Sequence, residues 1–243
     1  MIITSEYVDR LTFEGFAVVR ACIGPGEVLN LTAALDCLDT TSSIRRSNQV
    51  YAIRNLLDVL PVVRELANSR NIRSLVEPVL GPQCFAVKAT LFDKRPEANW
   101  TVPFHQDLSI AVHERRDAKG FGPWSEKKGV LHVHPPTKVL EGMLALRVHL
   151  DDCDESNAPL RVIPGSHLQG RLSAAAIDEW TSSHPCVRCS IPQGGVLIMR
   201  PLLLHASSPA KSPARRRVIH LEFAAENLPE GLQRHHRPGN TYN

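Results

Sequence analysis

Downstream of Gly81-Pro82 the apolar residues of this chain fall into short runs, 85–92, 144–150, 160–163, 186–191, 195–199 and 218–223, bounded by Pro, Gly, Asn and Asp. Runs of four to eight such residues with that punctuation read as strands, and many short strands in series close into a sandwich or barrel. The first third reads differently. Residues 5–11 form a mixed polar-apolar helix, 15–20 a β-rich run, and Gly24-Pro25-Gly26 breaks the chain before a helix over 27–38 whose Val28, Leu29, Leu31, Leu35 and Leu38 share a face. A third helix is expected from about Leu60 to Leu80. The expectation is one domain over 1–243: mainly helical support in 1–82, a β core in 83–225 and a tail in 226–243, of which 234–243 reads as a frayed terminus. Within the core, 109–143 is a long connection rich in Gly, Pro, Lys and Arg and reads as a lid.

Composition narrows the partners. The 243 residues are 43% hydrophobic and 22% charged, a globular balance, and a chain of this length buries roughly three quarters of its unfolded surface without help from disulfides. Lys plus Arg number 28 against 25 Asp plus Glu, a net charge of +3 too even for a nucleic-acid footprint or an anionic membrane. The first residues carry acids early and lack the basic and apolar segments of a secretion signal, and no apolar run approaches the roughly 20 residues of a spanning helix. A cytoplasmic monomer or homodimer acting on a small molecule is expected. The six scattered cysteines then read as reduced thiols, and Cys186-Val-Arg-Cys189, without a second such pair, as part of a strand rather than a zinc site.

The segment Phe104-His105-Gln106-Asp107 carries the strongest chemical signal. Alternate residues of a strand project to one face, so His105 and Asp107 place an imidazole beside a carboxylate. His205, directly after the apolar Pro201-Leu-Leu-Leu, supplies a third ligand candidate at a strand end. Two histidines and one carboxylate with coordination positions left open are the ligand set of non-haem Fe(II) oxygenases. An isolated His-x-Asp is commonly a plain surface or core pair, so the wider context decides.

That context is a set of ordered motifs: His105-Gln-Asp-Leu108, Leu150-Asp-Asp-Cys-Asp-Glu-Ser-Asn157 followed by Pro159-Leu-Arg-Val-Ile-Pro-Gly-Ser-His167, and Pro201-Leu-Leu-Leu-His-Ala-Ser207 with Arg215-Arg-Arg-Val-Ile-His-Leu-Glu-Phe223. With them, and with the helix–strand–helix start around Gly15-Phe-Ala-Val-Val-Arg20, the chain resembles the phytanoyl-CoA dioxygenase-like family of Fe(II)- and 2-oxoglutarate-dependent oxygenases over nearly its whole length. The resemblance implies a mainly β fold with a helical N-terminal part, a double-stranded β-helix (jelly roll, cupin-like barrel) flanked by helices. It implies Fe(II) on His105, Asp107 and His205, with 2-oxoglutarate and O2 as cosubstrates and succinate and CO2 as by-products. Arg216, eleven positions after His205, matches the arginine that grips the distal carboxylate of 2-oxoglutarate, a task suited to a planar, permanently charged fork. Ser207 and Thr90 match positions that line the same pocket. Retention of Asp107 speaks for hydroxylation or desaturation, and hydroxylation of an aliphatic carbon is the outcome expected.

Departures from the family pattern bear on the substrate. Arg147 stands where many relatives have an aromatic residue, and Lys88 and Phe92 share the phase of Thr90. A cation facing a barrel interior is costly unless it meets an anion, so Lys88 and Arg147, with Arg54 from the helical part, point to a small anionic molecule. Gln106 and Phe104, beside the ligands, are further substrate-side candidates. Arg215 and Arg217 are expected on the opposite face from Arg216, His167 in a structural turn, and Asp151 and Asp152 as turn or cap residues. Two alternatives stay open: desaturation, epimerisation or cyclisation by the same machinery, and a non-catalytic jelly-roll module that binds a small molecule. A cupin-type zinc or iron isomerase lacks the second His/Glu cluster it would need.

Overall fold

The computed structural model describes residues 5–41, 52–96, 99–127, 129–211 and 215–236. Helix α1 (Ser5–Phe13) ends at Gly15, which takes a φ of 84° and lies so close to the His167 ring that a Cβ there would meet it at 2.4 Å. His167 is thereby wedged in the turn, its Nε2–H donating to Thr12 O at 3.1 Å. Strand β1 (Phe16–Val19) and helix α2 (Pro25–Thr41) follow; α2 buries Val28, Leu31 and Leu35 but leaves Leu29 in water. After β2 (Ala52–Ile53) and α3 (Leu56–Val59), the single helix expected over 60–80 is two, α4 (Pro61–Asn68) and α5 (Arg70–Leu80). Ser69 breaks it. With a ψ of 149° it closes α4 and caps α5, its Oγ accepting from Ile72 N at 3.4 Å, which is the local competition by which serine ends and starts helices.

The β core is built from β3 (Phe85–Lys94), β4 (Val102–His105), β5 (Ile110–Val112), β6 (Trp124–Lys127), β7 (Val130–Val133), a short helix α6 (Thr137–Glu141), β8 (Met143–His149), β9 (Leu160–Val162), helix α7 (Ala174–Ser183), β10 (Val187–Cys189), β11 (Val196–Met199), β12 (His205–Ser207) and β13 (Arg216–Ala224). A six-stranded sheet runs β1-β11-β8-β13-β3-β2 and a four-stranded sheet β10-β9-β12-β4; every pairing is antiparallel. Strict alternation sorts the large sheet's side chains. Leu144, Leu146 and Val148 of β8 and Ile219, Leu221 and Phe223 of β13 join the helices in one apolar cluster. On the other face Ala145, Leu197 and Met199 meet Leu160, Val162 and Cys189 from the small sheet and Ile191 just beyond it, so one end of the space between the sheets is apolar core. The remaining inward positions of β3, β8 and β13 are mostly polar, with Phe92 among them, and they make the cavity described below.

Segment 109–143 is a folded unit rather than an irregular loop. Strands β5, β7 and β6 form a three-stranded antiparallel sheet, and Ile110, Val112 and Val133 pack with Leu140, Met143 and Leu228 in an apolar cluster of their own. Glycines and prolines, read in sequence as loop, here serve the turns between very short strands, and Gly120, Gly122 and Gly129 all take positive φ. The start of the supposed frayed end is also held. Arg234 is buried and bridges Val112, while His236 Nδ1 and His235 Nε2 sit 2.9 and 3.3 Å from the two oxygens of Asp58. The rest of that tract, 237–243, lies outside the described residues. Among the described residues no helix is long and apolar enough to cross a membrane, and none of the six cysteines is bridged.

Candidate active site

Strands β12 and β4 pair so that His205 stands opposite His105. Past β4 the chain turns, held by Asp107 N–H donating to Pro201 O at 2.9 Å, and Asp107 comes back beside both rings. His105 Nε2 lies 3.8 Å from Asp107 Oδ1 and His205 Nε2 3.6 Å from Oδ2, and one ligand atom from each residue falls within 4.8 Å of the others. Each imidazole is oriented by the main chain two residues before it: His105 Nδ1 is 2.9 Å from Pro103 O and His205 Nδ1 2.9 Å from Leu203 O. A carbonyl can only accept, so Nδ1 carries the proton in both rings and the Nε2 lone pairs converge, as in metal-bound histidines. Burial pushes His205 down to about 4 against the pull of Asp107, which leaves it neutral at pH 7. Burial alone would raise Asp107, but His205, His220, His105 and Lys88 more than offset it and hold the carboxyl well below the usual range. The site is an ionised carboxylate beside a neutral His205, with both Nε2 atoms turned toward it, the arrangement a divalent cation requires.

The three residues open on a cavity of about 230 Å3 lined by six cations, Arg54, Lys88, Lys94, Lys127, Arg147 and Arg216, and by two carboxylates, Asp107 and Glu222. Deepest are Lys94, Arg147 and Arg216, all under a tenth exposed. Arg216 Nη1 donates to Asn157 O at 3.2 Å and to Ala158 O; the Arg147 guanidinium lies 5.3 Å over the Phe92 ring; Lys94 Nζ donates to Ser207 Oγ at 3.0 Å and Ser208 O at 2.7 Å. Arg147 Nε, Arg216 Nε and Thr90 Oγ1 are buried with no partner. Buried donors left without acceptors are costly, and donors converging on one space suit an anion with several oxygens. Lys94 bears the strain: burial, then Arg216 and Arg147, bring it down to about 7. The unfolded chain holds that proton up to about 10.5, so below pH 7 folding carries the full cost of the charge and the cost fades as pH rises toward 10.5. Lys94→Met is therefore expected to raise the melting temperature of ligand-free protein at pH 6.5 by about 2–8 °C, equivalent to roughly 1–2 kcal/mol, with a smaller gain at pH 9. Thermal melts at the two pH values check this; a loss at both would show that Lys94 supports the fold.

Arg215 and Arg217 face outward, Arg215 on Asp93 and Asp36 and Arg217 on Asp151, as alternation around Arg216 required. Thr90, Ser207, Arg54, Lys88 and Arg147 all line the cavity. Lys88, expected to await a ligand anion, instead has its Nζ 2.6 Å from Glu222 Oε1. Gln106 does not face the cavity: its Nε2 donates to Gly170 O and Leu202 O, each at 2.7 Å, and its Oε1 accepts from Leu172 N, so it ties the loop after the small sheet to the ligand turn. In a strand its direction follows from its neighbours, since residues flanking it point to the metal side. Phe104 is likewise turned away, under the Arg161 guanidinium at 5.0 Å. Sequence reasoning passed over Lys94, His220 and Glu222. His220 Nε2 lies 4.0 Å from Asp107 Oδ2 and 3.5 Å from Glu222; the i+2 phase from Thr90 and from Arg216 leads to all three.

The family model described as Phytanoyl-CoA dioxygenase (PhyH) matches residues 13–218. No curated protein sequence matches the chain. Among solved structures the chain is similar to AviO1 from Streptomyces viridochromogenes Tue57, with 22% identity, 92% of this chain and 96% of that one covered, and a TM-score of 0.66. It is similar to SnoK, a non-heme alpha ketoglutarate dependent carbocyclase from nogalamycin biosynthesis, with 16% identity, 92% and 84% covered, and a TM-score of 0.71. EctD from S. alaskensis, with 2-oxoglutarate and 5-hydroxyectoine, shows 18% identity, 91% and 76% covered, and a TM-score of 0.70. The fold is the jelly roll expected from the sequence.

Proposed function

Since the chain belongs to the phytanoyl-CoA dioxygenase family of Fe(II)- and 2-oxoglutarate-dependent oxygenases, we propose that it hydroxylates an aliphatic carbon of a small anionic molecule. The observation that carries this is the convergence of His105 Nε2, His205 Nε2 and the Asp107 carboxylate at the wall of a cation-lined cavity. Those three residues would hold Fe(II) and leave coordination positions open. Arg216, with Lys94, Thr90 and Ser207 beside it, would hold the distal carboxylate of 2-oxoglutarate, giving the orphaned buried donors their acceptor. When bound, iron and cosubstrate supply the oxidation, in which O2 is consumed and 2-oxoglutarate leaves as succinate and CO2.

The chain's own part is positioning and exclusion. Asp107 stays ionised at any working pH because three histidines and Lys88 surround it. Phe92 and Trp100 wall the cavity between the cations, so substrate binding expels water from a space already small for a ligand site. Six cations against two carboxylates favour an anion over a neutral or cationic substrate.

Anaerobic titration of Fe(II) into metal-free protein with 2-oxoglutarate tests the reading. A visible charge-transfer band of the iron–oxo-acid chelate is expected; iron binding without that band would overturn it. Product analysis then separates hydroxylation from desaturation, epimerisation or cyclisation.

A further inference from the structure

The six cavity cations divide into two groups. Lys94 lies in the field of Arg216 and Arg147. Lys127 lies in that of Lys88 and Arg54, and His132 in that of the same three. Asp107 stands between the groups, acting on Arg147 on one side and drawn by Lys88 on the other. The inner group belongs to the cosubstrate end described above. The outer group has no role there.

Its three members come from three separate parts of the fold. Arg54 follows β2 in the helical part, Lys88 lies on β3 of the large sheet, and Lys127 ends β6 of the three-stranded sheet. Three structural layers thus each deliver one cation to the same opening. Facing them are two carboxylates, Glu222 of β13 and Asp107, the latter committed to the metal site, and one buried imidazole, His132 of β7, whose Nδ1–H is spent on Val130 O at 3.0 Å and whose charged form burial disfavours. Glu222 pairs with Lys88 at 2.6 Å, and His220 is its other neighbour at 3.5 Å. Neither Arg54 nor Lys127 has an ion-pair partner among the described residues. Two positive charges therefore remain uncompensated at the opening.

Resting on the oxygenase reading for the identity of the occupant, we propose that Arg54, Lys127 and Lys88 form a substrate subsite for a dianionic phosphate monoester group. A carboxylate brings one charge and two oxygens. A phosphate monoester brings about two charges and three terminal oxygens, which matches two free cations plus a third already shared with Glu222. Lys88 then serves a second purpose: it screens Glu222 from the incoming dianion. The substrate would enter phosphate outermost, with its carbon skeleton toward Asp107 and the histidines, because the inner cations are taken by the cosubstrate.

The test uses anaerobic holoprotein with Fe(II) and saturating 2-oxoglutarate, titrated calorimetrically with methyl phosphate and, separately, with acetate. Methyl phosphate is expected to bind at least tenfold more tightly than acetate. Arg54→Gln and Lys127→Gln, both at positions with solvent access, should each weaken methyl phosphate about fivefold and together more than twentyfold, with the charge-transfer band and the 2-oxoglutarate titration unchanged. Equal affinity for the two anions, or undiminished phosphate binding in the double variant, would overturn the subsite. Phosphate binding that is lost in the double variant but persists where no band forms supports the subsite while overturning the cosubstrate reading.

Discussion

Replacing Asp107 with alanine is expected to lower substrate-dependent succinate release beyond detection, and at minimum past the roughly 10–100-fold that loss of an outer partner of a metal ligand costs. Among the described residues Asp107 is the only carboxylate within reach of both His105 and His205 Nε2, so the variant presents two imidazoles and no anion to a divalent cation. The loss should appear in iron affinity as well as in turnover, which separates it from a merely misplaced substrate. It should also leave folding intact: the residue is about a third exposed, and its backbone N–H, bonded to Pro201 O, is untouched. Retained turnover with normal iron content would remove Asp107 from the metal centre. His105→Ala should behave alike.

Arg216→Ala is expected to raise the 2-oxoglutarate concentration needed for half-maximal rate by about 30-fold or more, the range for removing one member of a buried, hydrogen-bonded charge pair. The rate at saturation should fall less, because the metal ligands stand on other strands. Two opposing effects meet in this variant. It removes the grip on the distal carboxylate, and it also relieves Lys94, whose depressed affinity for a proton owes most to burial and next to Arg216. The ligand-free protein should consequently be no less stable despite the lost contacts to Ala158 and Asn157. An unchanged 2-oxoglutarate requirement would shift the grip to Lys94 and Arg147. Arg215 and Arg217 are not alternatives, being committed outward to Asp93, Asp36 and Asp151.

The parts of the fold legible in the sequence are those governed by a single short-range rule. Alternation along β8 and β13 assigns each side chain to the helical face or the interior, and it correctly sends Arg216 inward while sending its two neighbours out. The same rule reaches Lys94, His220 and Glu222, provided the phase is followed past the residues that motifs single out. What the rule does not reach is set by partners distant in sequence. Lys88 meets Glu222 across 134 positions and Gln106 meets Leu202 across 96; no local pattern announces that these side chains are already satisfied. Ser69 shows the intermediate case, where a hydroxyl that could sit on a helix surface instead ends one helix and starts the next. Segment 109–143 was opaque because its strands are three or four residues long, too short for alternation to outweigh the turn residues between them.

The hydrogen bonds that fix the two site imidazoles end on main-chain oxygens two residues earlier in the chain, Pro103 and Leu203. Every residue type supplies that oxygen, so the tautomer of each ring is immune to point substitution at its orienting partner, unlike histidines steered by a carboxylate side chain. The cavity walls have no such insulation, since Arg54, Lys88 and Lys127 act through side chains alone. Descendants of this chain can therefore drift in what they accept while the orientation of their histidines stays fixed, an asymmetry that lets one scaffold explore new substrates without rebuilding its reactive core.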